Sequence, residues 1–154
     1  MLTAREFEAE LLQQTIETLT ALFKTHYGAI GIVDEHGGLT YFVHTGIPPE
    51  QAARIGQRPQ GRGLLGVVID ENQTLRLDDM SQDPRSAGFP AHHPPMKSLL
   101  AVPIAHAGQV YGRVYFSDKL DATPFTAEDE RLATSSAEVL ALTLAHSVTV
   151  GKDI

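Results

Sequence analysis

Residues 99–118 constrain this chain more than any other stretch. They read LLAVPIAHAGQVYGRVYFSD: two apolar, β-prone runs, Leu99 to His106 and Val110 to Ser117, parted by Ala107-Gly108-Gln109. Runs so long on so short a turn form an antiparallel hairpin, because a parallel pair needs a crossover of about a dozen residues or more. A second hairpin is predicted upstream, where Tyr27 to Val33 (YGAIGIV) meets Leu39 to His44 (LTYFVH) across His36-Gly37-Gly38. Two hairpins make an antiparallel sheet, and one face of it has to be covered.

The chain supplies that cover at both ends. Residues 3 to 25 carry Phe7, Leu11, Leu12, Thr15, Leu19, Leu22 and Phe23 at helical spacing, and Thr3 with Glu6 forms a capping-box pattern. Phe125 to Val150 is the second long helix, capped by Thr126, with Asp129 and Glu130 in the first turn where the helix dipole favours anions. Between the hairpins, Pro48 and Pro49 open a short helix over Glu50 to Ile55, and Thr74 to Leu77 is a short strand. Leu64 to Ile69 (LLGVVI) is apolar all round and therefore buried, as a short helix or a strand; periodicity does not separate the two. Residues 78 to 97 form a long connection with Pro84, Pro90, Pro94 and Pro95. An irregular segment of that length, with Phe89, His92, His93 and Met96 to bury, reads as functional. Helices at the two ends pack on one face of the sheet, and the middle loop and short helices cover the other with a cavity between.

Composition removes several function classes. The chain has no cysteine, which excludes disulfides, zinc–thiolate and iron–sulfur sites, and a thiol nucleophile. The net charge of −7, with no Lys/Arg cluster, argues against nucleic acid and against anionic membranes. No apolar run reaches the roughly 20 residues of a membrane span, and Met1 to Glu8 is not a signal peptide. A cytoplasmic location follows as the default. No Ser–His–Asp spacing, nucleophile elbow or specific carboxylate pair is visible.

Three stretches together resemble the GAF domain. Gly61-Arg-Gly-Leu-Leu-Gly66 is similar to the segment that opens the family's lid helix, and Leu99 to Asp118 to its central hairpin. Asp118-Lys119, then Phe125, then Asp129-Glu130 resembles its "NKxxxxxFxxxDE" signature, with Asp118 in place of Asn. The resemblance covers roughly Tyr27 to Val148. It implies an α/β (α+β) fold and a single domain over 1–154, with an N-terminal helix in 1–26, sheet and lid in 27–124 and a C-terminal helix in 125–150. The sheet would hold about five to six antiparallel strands, with both long helices on one face and a ligand pocket on the other. It also implies a sensor without catalysis of its own. The family enzyme considered first, free methionine sulfoxide reductase, uses cysteines, and here there are none. We read Lys119 and Asp129 as an ion pair that locks the last helix to the sheet, not as a nucleotide site.

Within the family, Leu77 to Met96 is similar to the GAF domains of bacterial two-component sensor kinases, including haem-binding hypoxia and redox sensors. That resemblance implies haem b on His93, the histidine before Pro94-Pro95-Met96, with Tyr115 on the distal side. Two prolines stiffen the loop after His93. Phe42, Leu64, Leu65, Val68, Ile69, Met80 and Leu100 would wall the pocket, with Phe89 and Met96 as apolar neighbours of the ligand. Arg54, Arg58 or Arg62 would meet the propionates, and Tyr115 shares a strand face with Arg113. His92 reads as a neighbour in solvent, and His44 is the other histidine near the pocket.

The function expected is thus a gas (O₂, NO, CO) or redox sensor that relays its state to a sensor kinase or other transmitter. The alternative is a haem-free receptor for a small anion or metabolite, nitrate-like for example, with Tyr115 or arginine side chains as donors. Leu132, Val139, Leu142 and Val150 leave apolar surface for a homodimer through the terminal helices.

Overall fold

The computed structural model describes residues 3–34, 36, 38–51, 63–86 and 93–153, with residues 146–153 as backbone only. The element order is α1 (Ala4–Phe23), β1 (Thr25–Val33), β2 (Leu39–Thr45), α2 (Gly63–Asp70), β3 (Leu75–Leu77), a 3₁₀ turn (Met80–Gln82), β4 (Leu99–His106), β5 (Gln109–Lys119) and α3 (Ala127–Asp153). The strands form one sheet in the order β2-β1-β5-β4-β3. Every neighbouring pair is antiparallel, as the two hairpins require.

Local chemistry accounts for the turns. In the β4–β5 hairpin, His106 pairs with Gln109, and both Ala107 (φ 51°) and Gly108 (φ 81°) have positive φ. That is the conformation a two-residue loop needs to match the strand twist. In the β1–β2 hairpin, Asp34 closes the loop: its Oδ1 accepts the amides of His36 and Gly38 at 2.8 and 3.0 Å. The capping box at α1 forms as the sequence predicts, with Thr3 Oγ1 accepting the Glu6 amide and Glu6 Oε2 accepting the Thr3 amide.

The helix-side face of the sheet is an uninterrupted apolar core. Ile16 and Phe23 of α1 and Ala133, Ala137 and Ala141 of α3 meet Ile30, Val43, Leu100, Val102, Val114 and Phe116 of the strands. The Phe23 and Phe116 rings stack at 4.6 Å. Gly28 lets α1 lie directly on β1, since a Cβ there would stand 2.0 Å from Thr20 Oγ1. The ion pair read from the sequence is present: Lys119 Nζ lies 3.1 Å from Asp129 Oδ2, which also accepts the Thr126 amide at 2.8 Å. Burial pushes the Asp129 carboxyl up, but the Thr126 and Lys119 hydrogen bonds outweigh it and hold the group below its usual range.

Two sequence expectations change here. The ambiguous run at Leu64 to Ile69 is the helix α2. Leu100, expected in the pocket wall, belongs to the helix-side core and is fully buried against it. The reason is strand alternation: Leu99 and Ala101 take the opposite face, so Leu100 cannot.

Candidate functional site

The second face of the sheet is built from alternate strand residues. Three pairing rows cross it. Tyr27 pairs with Ser117, Ser117 with Leu99 and Leu99 with Leu77; then come His44, Ala29, Tyr115, Ala101 and Leu75; then Phe42, Gly31, Arg113 and Pro103. The centre of this face is unusual for its small residues. Ala29, Gly31 and Ala101 flank Tyr115 and Arg113, while Leu39 reaches over Gly31 and Pro103 pairs with Arg113.

The lid covers this face unevenly. Leu64 and Val68 of α2 pack with Leu75, Met80, Leu99 and Ala101, and Val67, Leu77, Met96 and Tyr115 press on the same cluster. Of the expected wall residues, Leu64, Met80, Met96 and Tyr115 are therefore brought together over the β3–β4 side. Leu65 and Ile69 are half-buried on α2. Phe42 lies at the other edge on β2, its ring 5.6 Å from that of His44. Phe89, with Arg54, Arg58, Arg62 and His92, lies outside the described residues.

Asp118 fixes the strap that carries His93 to Met96. Its backbone turns through φ 58° at the end of β5, and its Oδ1 accepts the amides of Lys97 and Ser98, each at 2.9 Å. The Lys97 carbonyl in turn accepts the Met80 amide at 2.7 Å. His93 is half-buried, and its Nδ1 donates to the Pro94 carbonyl at 2.7 Å. A carbonyl only accepts, so Nδ1 carries a proton in this bond.

Arg113 is the feature that the apolar cluster does not explain. It is 1% exposed, yet among the described residues it makes no ion pair. Its Nη1 donates to the Leu65 carbonyl of α2 at 3.2 Å, which aims the guanidinium from the sheet toward the lid. Its Nε and Nη2 are buried with no hydrogen-bond partner. The side chain crosses Gly31, where a Cβ would lie 3.7 Å from Nε. Burial pushes the Arg113 pKa down, with the Tyr115 phenol and the Asp70 carboxylate opposing. Burial also pushes the Tyr115 phenol up to about 12, so it remains protonated and able to donate. On the same face His44 Nδ1 is buried without a partner, and burial holds that imidazole below its ordinary value. Buried polar groups are normally paired, so these orphans on one face of the sheet make it the candidate site.

A search against protein-family models matches the GAF domain over residues 6–145. The chain is a member of the GAF domain family. Solved structures agree on the fold. The GAF domain of a phosphoenolpyruvate-protein phosphotransferase from Coxiella burnetii superposes with a TM-score of 0.77 at 22% identity, covering 94% of this chain and 86% of that one. A type II free methionine-R-sulfoxide reductase from Thermoplasma acidophilum gives 0.69 at 21% identity, covering 89% and 92%. The second GAF domain of DevS from Mycobacterium smegmatis gives 0.66 at 17% identity, covering 95% and 99%.

Sequence reasoning noticed that Arg113 and Tyr115 share a face but assigned no site role to Arg113. The signal was available: Val110 to Phe116 (VYGRVYF) is a central strand in which the one charged side chain has to be buried. Among the described residues no helix is long and apolar enough to cross a membrane.

Proposed function

We propose that this GAF domain is a sensory receptor for a small anionic metabolite. The ligand binds on the lid side of the sheet, between β1, β2 and β5 and the helix α2. One observation carries the reading: a fully buried guanidinium with two unpaired donors, tied by its third nitrogen to the lid. A buried charge without its partner is costly, and an incoming anion removes that cost. The Tyr115 phenol is an adjacent donor. Because Arg113 also links β5 to the Leu65 carbonyl through Nη1, an anion held by the same guanidinium bears on how α2 is held. That is a physical route from binding to a conformational signal. The role is regulatory, and no catalytic step is proposed.

The test is thermal unfolding against a library of small anions and neutral metabolites. A ligand that binds only the folded state raises the midpoint with concentration. An anion that stabilises the wild type and fails to stabilise Arg113→Met supports the reading. If neutral compounds alone stabilise the protein, the reading is wrong.

A second reading is favoured by His93. Its Nδ1 proton is held by the Pro94 carbonyl, the kind of bond that orients a ligating imidazole. Haem b bound there would supply a gas- and redox-sensitive iron. Against it, Leu64 and Met80 pack directly with Leu99 and Ala101 instead of lining an open slot, and Leu100 faces the helices. That packing favours the smaller ligand. Haemin added to the protein decides the matter: a Soret band that weakens in His93→Ala supports haem, and equal binding by both proteins removes it.

The signalling partner is proposed to be a sensor kinase or similar transmitter, reached through a homodimer of terminal helices. Phe7, Leu11 and Leu22 of α1 and Leu132, Val139 and Leu142 of α3 are exposed on the outer side of the helix layer. Sedimentation showing only monomer at high concentration would remove the dimer.

A further inference from the structure

The two unpaired nitrogens of Arg113 are a particular pair. Nε–H and one Nη2–H point the same way from one edge of the planar guanidinium, spaced to match the two oxygens of a carboxylate. The protein contains that match elsewhere. Arg85 donates from Nε to Asp83 Oδ1 at 3.0 Å and from Nη2 to Asp83 Oδ2 at 2.9 Å, using the same edge. In Arg113 the Nη1 group is taken by the Leu65 carbonyl, so the side-on edge is the one buried without a partner. No aspartate or glutamate of the described residues fills it. Asp70, the carboxylate whose charge is felt at Arg113, makes no ion pair with it.

We infer that the ligand is a small carboxylic acid whose carboxylate binds side-on to Nε and Nη2 of Arg113. This deepens the proposed receptor reading and rests on it. Ala29 and Gly31 lie beside Arg113 on β1, with Leu39 reaching over Gly31 as well, so the carboxylate sits over β1 beneath α2. His44 Nδ1, unpaired and buried on β2, is placed on the far side of Ala29 from Tyr115. It supplies a second polar contact for a ligand with a hydroxyl, keto or amino group near its carboxylate. A ligand of that kind is short, since Leu39 and α2 close over the Arg113 side chain and leave it 1% exposed. A tetrahedral phosphate or sulfate can use the same edge but carries further oxygens that Ala29 and Gly31 beneath it cannot satisfy.

The experiment is ¹H–¹⁵N spectroscopy of arginine side chains with calorimetry on the same samples. The probes are acetate, lactate, pyruvate, sulfate and the neutral isostere acetamide. The Arg113 Nε–H signal is assigned by its loss in Arg113→Lys, which keeps the charge but lacks the fork. The expected result is that a carboxylate shifts this signal downfield in the wild type, while acetamide and sulfate leave it in place. Arg113→Lys weakens that carboxylate by about 10- to 100-fold, the worth of charged hydrogen bonds. The inference is overturned if carboxylates bind with the Nε–H signal unmoved, or if Arg113→Lys binds them as tightly as the wild type. It is overturned too if sulfate shifts the signal and no carboxylate does, although the anion-receptor reading then survives. If no anion of either kind moves it, both fall. The spectroscopic arm uses wild-type protein, so it holds even if Arg113→Lys does not fold.

Discussion

The two faces of the sheet are made by the same strands and do opposite things. On the helix side, residues such as Ile30, Leu100, Ile104 and Val114 are all but inaccessible and meet apolar partners. Among the described residues the single orphan there is a hydroxyl, Thr20 Oγ1. On the lid side the same β1 and β5 offer Ala29, Gly31, Tyr115 and Arg113, and the orphans are a guanidinium and an imidazole. One face leaves a neutral hydroxyl unpaired; the other leaves a charged guanidinium and an imidazole. Hydrophobic burial on the first supplies the stability that lets the second keep a buried charge without a partner. The difference teaches where to look for the ligand: on the face whose polar groups the fold does not use.

The comparison breaks if substitutions on the two faces behave alike. The largest effect is expected at Leu100→Ala, which removes a fully buried side chain from the helix-side core. It should cost about 2–5 kcal/mol in urea unfolding and leave ligand affinity of the folded protein unchanged. Were Leu100 a pocket wall, affinity would fall and stability would change less.

A smaller effect is expected at His44, on the lid side. Burial lowers its pKa from 6.5, so the folded chain resists a proton that the unfolded chain accepts. Stability is therefore intact above pH 6.5 and declines as the pH drops from there through the folded value. His44→Asn should flatten that decline, as read from unfolding midpoints between pH 7.5 and about 5. An unchanged slope would mean that His44 is hydrated in the folded protein.

The smallest effect is expected away from both faces. Ala107 sits at φ 51° in the β4–β5 turn, a conformation that asparagine tolerates better. Ala107→Asn should add about 0.5–1 kcal/mol with no effect on binding, which calibrates how much stability can change without touching either face.

The frame was legible in the sequence because it rests on short-range rules. The Ala107-Gly108 turn, the Thr3–Glu6 box and the helical spacing of Leu12, Leu19 and Phe23 are each readable within a few residues, and each is present. The GAF resemblance carried the Lys119–Asp129 pair correctly. The site was legible only in part. Tyr115, Leu64, Met80 and Met96 do come together. Leu100 was misplaced because a continuous apolar run, LLAVPI, hides which alternate residues face which way when both faces are buried. Arg113 was undervalued for a related reason. Its significance lies in which nitrogens lack partners, and that depends on Leu65, 48 positions away in the chain.

Urea unfolding of the ligand-free wild type and Arg113→Met tests the central claim most directly, because it asks whether the guanidinium serves the fold or a ligand. The account expects the variant to lie within about 1 kcal/mol of the wild type or to be more stable, since an apolar isostere replaces a buried unpaired charge. A loss of the size expected for Leu100→Ala would contradict it and make Arg113 a structural residue.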